Sequence, residues 1–346
     1  MRIEQLTFTR FIAAVSIVIF HFGKGSYLFN NKYVLFISQQ ANFGVSYFFI
    51  LSGFVMIIAN FYKENINVID YYKNRLARVY PVYIVAIFLI IFANRFQSIN
   101  ISDLFLNTFM LQSWIPQKAL TLNFPGWSLS VEMFFYISFP FLSNKIYSKQ
   151  KLKITAIWII SFWFISQIIF HLLATEIFYI PNYSSLDIHY NPLAHFNEFL
   201  IGNLTGLFFI RNIKNTTRNN LFLIIILMFL LIFLLRFPLG FDFHNGLLAL
   251  IFAPFILLIS STNDKITAIF SHKIFIFLGE ISFGIYILQL PVWKFFSDFR
   301  MWRYFGLDPE LNFTSSFFIR LFILILVSSL SYLYFEKPLR NLIKKL

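Results

Sequence analysis

Residues 221–235 read LFLIIILMFLLIFLL, an apolar block with no polar residue on any face. A strand in the wall of a transmembrane barrel would alternate apolar and polar positions over about 10 residues. Nothing alternates here, so the block reads as a helix in apolar surroundings on all sides. Comparable runs recur near Leu6–Phe22, Val45–Phe61, Tyr80–Asn94, Trp127–Leu142, Ile154–Ala174, Leu193–Ile210, Gly246–Ser260, Ile274–Phe296 and Phe317–Phe335. Crossing a hydrocarbon core takes about 20 mostly apolar residues per helix, and these runs come close to that length. The expected fold is all-α: a polytopic transmembrane helical bundle of about ten spans. Phe105–Trp114 is too short to span and reads as interfacial or re-entrant.

The composition agrees. The 346 residues are 58% hydrophobic, 21% aromatic and 12% charged, where a soluble domain carries about 25% charged residues. A net charge of +13 would suggest a nucleic-acid partner in a soluble protein. Here the basic residues gather in short loops between apolar blocks, which is a topology signal, and no nucleic-acid partner is expected. There is no cysteine, which leaves out disulfides, thiolate metal sites and thiol nucleophiles. The first apolar block carries Arg10 and is followed by no small-residue cleavage pattern, so it reads as a transmembrane helix rather than a removable signal peptide.

Orientation follows from the alternation of basic loops, because positive charge is retained on the cytoplasmic side. One set of loops holds Arg2; Lys63, Lys73, Arg75 and Arg78; Lys145, Lys149, Lys151 and Lys153; Arg211, Lys214 and Arg218; Lys265 and Lys273; and Lys337, Arg340, Lys344 and Lys345. The other set is sparser, with nothing basic between Thr175 and Pro192. Both termini are therefore expected in the cytoplasm, joined by an even number of spans. No internal repeat or low-complexity linker interrupts the chain, and a single membrane-embedded domain over residues 1–346 is expected, with no attached extramembrane domain.

An ionisable side chain inside a bilayer costs at least about 2.5 to 3.5 kcal/mol and is a functional hint by default. Arg10, His21, Glu132 and Glu198 qualify. Arg10 and His21 are 11 residues apart, about three helical turns and a rise of about 16.5 Å, so they share one helix face. That face can line a channel, or Arg10 can simply snorkel to one interface while His21 ends the helix at the other. Arg75 and Arg78 precede Pro81. Residues three apart on a helix are neighbours, and their planar donor forks suit a phosphate, although a plain positive-inside loop reads the same way. Glu132, in Gly126-Trp127-Ser128-Leu129-Ser130-Val131-Glu132, lies about one turn inside an apolar helix. It can pair with Arg10, orient His21 for base catalysis, or staple two helices as a structural ion pair. The small residues in Leu51-Ser52-Gly53-Phe54 read as helix packing.

Taken in order, these segments resemble the acyltransferase 3 family of bacterial membrane proteins, which O-acylate surface polysaccharides, lipopolysaccharide, Nod factors, peptidoglycan and some macrolides. Arg10 and His21 match its Arg-x10-His, Phe43–Met56 its second-helix signature, and Tyr72–Pro81 its Arg-x-x-Arg-x-x-Pro. Trp127–Glu132 matches Trp-Ser-Leu-Ser-x-Glu, and Glu198-Phe199 with Gly202 matches Glu-Phe-x-x-Gly. Gly279–Pro291 and Glu336-Lys337-Pro338 complete the set. The chain departs from the pattern at Ser46, where the family usually has Asp, and at Gln289, where it often has His. The family also has longer members with an extracytoplasmic esterase-like domain, for which this sequence shows no counterpart.

The resemblance implies a cytosolic acyl-CoA donor, most often acetyl-CoA, no metal, and a glycan or lipid-linked glycan acceptor, in the bacterial cytoplasmic (inner) membrane among membrane lipids. On that reading Arg75 and Arg78 hold a CoA phosphate. His21 is the general base toward a sugar hydroxyl. Arg10 orients the donor or stabilises the oxyanion, and Glu132 positions His21 or Arg10. A multi-pass transporter or flippase of lipid-linked glycan would also need a bundle with buried charges. Such proteins often show two related halves, which this sequence lacks.

Overall fold

The computed structural model describes residues 3–60, 63, 65–95, 99–178, 180–181, 183–212, 219–238, 240–262, 265–308 and 311–345, with side chains described for all of these except 265–267 and 344–345. Arg2, Lys214 and Arg218, used above for orientation, lie outside the described residues, as do the side chains of Lys265, Lys344 and Lys345.

The described residues are helical and loop, without strands. In chain order the helices are α1 (Gln5–Phe22), α2 (Leu35–Gln40), α3 (Phe43–Asn60), α4 (Val68–Ala93), α5 (Ile101–Thr108), α6 (Trp127–Phe141), α7 (Leu152–Ala174), α8 (Ser185–Tyr190), α9 (Pro192–Asn212), α10 (Leu221–Arg236), α11 (Ala249–Ser261), α12 (Lys265–Phe270), α13 (Lys273–Phe295), α14 (Asp298–Phe305), α15 (Phe313–Ser331) and α16 (Lys337–Lys345). Each of the ten apolar runs coincides with one of them. Among the described residues seven helices are long and apolar enough to cross a membrane, and α10 and α11 are shorter apolar helices. At 16 residues α10 is about 24 Å long, short of a hydrocarbon core of about 30 Å. The chain is thus a multi-pass membrane protein. The short segment at 105–114 is not a span: α5 ends at Thr108 and a 3₁₀ turn occupies Gln112–Trp114.

Two boundaries matter for the site. Helix α4 begins a dozen residues before the apolar run, because Asn67 caps it by accepting from the N–H groups of Ile69 and Asp70, and Asp70 lies in its first turn. A carboxylate there complements the helix dipole. Arg75 and Arg78 therefore sit on a helix and not in a loop. Helix α15 passes through a π-helical turn at Tyr332–Glu336 directly into α16, and such turns re-aim side chains within an otherwise continuous helix.

The bundle is ordered from a buried centre to a lipid-facing rim. In α3, 72% of the spanning window is buried inside the protein, against 17% in α7. The exposed side chains of α7 and α10, such as Ile157, Phe164, Phe222 and Phe229, are apolar, as contact with acyl chains requires. Helix α3 crosses α9 closely enough that a Cβ on Gly53 would stand 2.2 Å from the Phe199 carbonyl oxygen, and one on Gly202 2.0 Å from that of Ile50. Gly279 on α13 makes the same approach to Thr7 on α1, at 1.9 Å. Apolar surface gains little by leaving lipid for a protein interior, so backbone approach through small residues is what holds such helices together. Gly53 has the packing role expected of the Leu51–Phe54 segment, and its neighbour Ser52 bonds to Glu132 on α6.

Candidate active site

Three helices that meet around α3 bring the expected charges together. Arg10 from α1, Arg75 and Arg78 from α4, and Glu132 from α6 line one cavity of about 110 Å³, closed by Ser52 of α3 and Tyr136 of α6. A second cavity of about 290 Å³ adjoins it, and Arg10, Arg78, Leu51, Val55 and Phe283 line both. The second is lined by Ile3, at the start of the chain, and by Arg340 near its end, so these two regions lie on one face of the bundle. The two cavities form a channel. The larger, a vestibule, lies on the side of Ile3 and Arg340, Arg10 and Arg78 line both, and the smaller reaches Ser128 and Tyr286.

The polar groups in the channel are held individually. Arg75 lies over the rings of Tyr71 and Tyr136, at 5.3 and 5.8 Å from their centroids, a cation–π clamp that fixes the guanidinium plane. Its Nε is buried without a hydrogen-bond partner. Glu132 accepts a hydrogen bond from Ser52 Oγ at 3.1 Å. No hydrogen bond or ion pair described for Glu132 reaches His21. Arg10 lines the same cavity as Glu132.

His21 stands apart from the other four. It is at the far end of α1 and lines neither cavity. Its ring packs edge-on to Phe124, with centroids 4.5 Å apart. A pinned loop makes this contact possible. Gln112 Nε2 donates to the Gly126 carbonyl at 2.8 Å, Ser113 Oγ to that of Trp127 at 2.8 Å, and Asn123 Nδ2 to that of Ile287 at 3.1 Å. These bonds fix residues 112–127 against α6 and α13. Tyr286 then donates to the Pro125 carbonyl at 3.0 Å and lies 2.8 Å from Ser128 Oγ. Pro125 is thus bonded to Tyr286 and Ser128, which line the smaller cavity, and its neighbour Phe124 touches the His21 ring.

The two departures from the family pattern are accommodated outside the channel wall. Ser46 Oγ donates to the His244 carbonyl at 2.8 Å, a bond that a carboxylate, which only accepts, could not make. Gln289 is fully buried and donates to the Tyr286 carbonyl at 2.6 Å.

A second polar cluster surrounds Glu198, the one member that the sequence reading singles out. His195 Nδ1 lies 2.7 Å from Glu198 Oε2 and its Nε2 lies 2.8 Å from the His189 carbonyl, with His195 1% and Glu198 0% exposed. His189 Nε2 is 2.6 Å from Asp242 Oδ2. Burial alone would raise the Asp242 carboxyl, but hydrogen bonds from His189 and from the His244 backbone N–H outweigh it and hold it below the ordinary range. Burial pushes the nearby His244 imidazole down to about 3, and the neighbouring His195 and His189 add to this. Sequence spacing could have found the first pair, since His195 and Glu198 are neighbours on one helix face. The Asp242 partnership, across 53 residues, carries no such signal. Among the described residues no three His, Asp or Glu side chains come together as a metal site.

Comparison with known proteins was made on the whole chain. A family described as an acyltransferase domain, Acyl_transf_3, matches residues 3–334. The chain is similar to acyltransferase MdmB of Streptomyces mycarofaciens, 27% identical over 170 residues, which is 46% of this chain and 43% of that protein. The match thus spans less than half the length of that relative. It is also similar to an uncharacterised protein of Haemophilus influenzae, 27% identical over 246 residues, covering 63% of this chain and 97% of the relative. No solved structure matches.

Proposed function

The chain belongs to the acyltransferase 3 family and is a membrane acyltransferase, and on that premise we propose that it moves an acetyl group from cytosolic acetyl-CoA to a sugar hydroxyl of a cell-surface glycan. The observation that carries this reading is the convergence of Arg10, Arg75, Arg78 and Glu132 on one cavity, with His21 farther along the helix that carries Arg10. An acyl-CoA is polyanionic at one end and reactive at the other. A cavity with guanidinium groups along it, and an imidazole farther along α1, is matched to that polarity.

The residues then divide the work. Arg75 and Arg78 take a phosphate of the donor, and Arg10 orients the arm or stabilises the thioester oxyanion as it forms. Glu132, tied to Ser52, holds the Arg10 end of the channel in register. His21 removes the proton from the acceptor hydroxyl as its oxygen attacks the thioester carbonyl, the role of a positioned neutral imidazole in general-base catalysis. The C–S bond breaks and the thiolate leaves toward the channel. Access of donor and acceptor from opposite ends keeps water away from the thioester. The test is transfer of labelled acetyl from acetyl-CoA to glycan in membranes containing the protein. Label incorporation no greater than in membranes lacking it would sink the reading.

For the arginine pair the functional and topological explanations separate in one measurement. Replacing Arg75 or Arg78 by lysine keeps the charge but loses the planar fork. Loss of one charge-assisted phosphate contact of about 1.5 to 3 kcal/mol corresponds to a rise of about 10- to 150-fold in the donor dissociation constant. Donor affinity in nanodiscs is the readout. Unchanged affinity in both variants would return the pair to a positive-inside role.

The placement in the membrane belongs to the same proposal: a single domain over residues 1–346 of about ten spans, with both termini in the cytoplasm of a bacterial inner membrane. Support for an even count comes from Ile3 and Arg340 lining one cavity, and for the direction from the basic loops on that side. A reporter that fluoresces only in the cytoplasm, fused to the C-terminus, should be bright. A dark fusion at normal protein level would contradict the orientation.

A further inference from the structure

The chain leaves α1 at Gly23, and the first side chain beyond the helix is a cation for which the mechanism above has no use. Lys24 is exposed and follows the half-buried His21 by three residues. Its Nζ lies 5.3 Å from the centroid of the Phe20 ring, and the His21 ring lies 5.0 Å from that same centroid. Ammonium and imidazole thus flank one aromatic ring, and Lys24 is the charged group near enough to act on His21. Among the described residues Lys24 has no carboxylate partner. Its place is fixed from both sides. Gly23 N–H donates to the Ile19 carbonyl at 2.7 Å, Tyr27 N–H donates to Thr314 Oγ1 at 2.9 Å, and a Cβ on Gly25 would stand 2.7 Å from the Phe313 ring. A lysine that only anchors a helix end reaches out toward headgroups, whereas this one rests on a ring beside the base. It also belongs to the sparser set of basic residues, on the side that topology keeps poor in Lys and Arg, so it needs a local reason.

This arrangement sets a conflict for the reaction. When His21 takes the proton of the acceptor hydroxyl it becomes a cation beside a cation, and like charges at short range repel. The repulsion is relieved when the acceptor brings a negative charge to Lys24. We infer that Lys24 makes the enzyme select an acceptor sugar that bears a carboxylate or phosphate next to the hydroxyl to be acetylated; this rests on the reading of His21 as the general base. The anion meets Lys24, the neighbouring hydroxyl meets His21, and the imidazolium then forms beside an ammonium whose charge is already matched. Lys24 exchanges no proton, and no bond changes other than those of acetyl transfer. A neutral sugar at the same base leaves the ammonium unmatched, so the discrimination between acceptors is electrostatic.

The experiment measures a ratio. The surface glycan of the producing cells is offered as acceptor in two forms, as extracted and after its carboxyl groups are amidated and its phosphates removed. Labelled acetyl-CoA is the donor, and the full-length protein is in phosphatidylcholine nanodiscs. Wild type should favour the native glycan in kcat/KM by about 5-fold, the upper end for an exposed ion pair. Lys24→Gln should use both forms alike. Lys24→Glu should favour the neutralised form, because attraction becomes repulsion. Added salt should shrink the wild-type preference and leave Lys24→Gln unmoved. Each ratio is taken on one preparation, so a loss of folded protein cancels from it. A native preference retained in Lys24→Gln or Lys24→Glu, including equal losses with both forms, would overturn the assignment. Equal use of the two forms by wild type would also overturn it, while leaving the acetyl-transfer reading intact. Failure of wild type to acetylate either form would instead remove the acetyl-transfer reading, and the selection with it.

Discussion

Replacing His21 by alanine is expected to lower acyl-transfer turnover by about 10²- to 10⁴-fold, the usual worth of a positioned general base, while the donor dissociation constant stays nearly unchanged. The separation of these two quantities comes from geometry. His21 lines neither cavity of the channel, and its described ring contacts are to Phe20, Phe22 and Phe124. Losing the imidazole takes a proton acceptor from the reaction and nothing from the phosphate end of the site. It also leaves the fold alone, since no described hydrogen bond or ion pair uses this side chain. Single-turnover transfer and donor binding measured on the same nanodisc preparation check both halves. Turnover within a few fold of wild type would move the base elsewhere. A parallel loss of donor affinity would mean that His21 contacts the donor in the ground state.

Much of this arrangement could be read before any coordinates. The ten apolar runs are helices because a chain in lipid must satisfy its backbone in a helix or a closed barrel, and runs without alternation do not fit a barrel. Arg10 and Glu132 stood out because charge in an apolar run is costly, Arg75 and Arg78 because residues three apart on a helix are neighbours, and the four do meet in one cavity. What escaped was everything that depends on which helix lies beside which. Ser52 is a small residue among small residues, and only the approach of α6 to α3 gives it Glu132 as a partner. The start of α4 was placed too late because hydropathy registers the apolar stretch, whereas the helix is set by the Asn67 cap. Arg340 reads as one more basic residue of a terminal loop until the turn at Tyr332–Glu336 is seen to face it into the vestibule. The contact of Phe124 with the His21 ring depends on a loop whose bonds run from residue 112 to residue 287.

His195 lies outside the family motifs, and the structure gives it a part in the fold. His195→Ala is expected to destabilise the protein by about 3 to 5 kcal/mol, the cost of breaking a buried pair and stranding one member. The stranded member is Glu198, fully buried on α9, whose other carboxylate oxygen already has no partner. The imidazole also fills space among aromatic rings, with its centroid 4.9 Å from Phe49 and 5.2 Å from Trp127, and its removal opens a cavity there. Trp127 begins the helix that carries Glu132, so activity will fall as well, but by a different route from His21→Ala. Thermal unfolding in detergent separates the two: His195→Ala should unfold well below wild type, and His21→Ala should unfold with it. The double variant His195→Ala/Glu198→Ala should lose less stability than the sum of the single variants, because the second change removes the charge that the first one strands. A wild-type melting temperature for His195→Ala, or strict additivity in the cycle, would mean that the pair contributes nothing to the fold and that Glu198 finds another partner when the imidazole is gone.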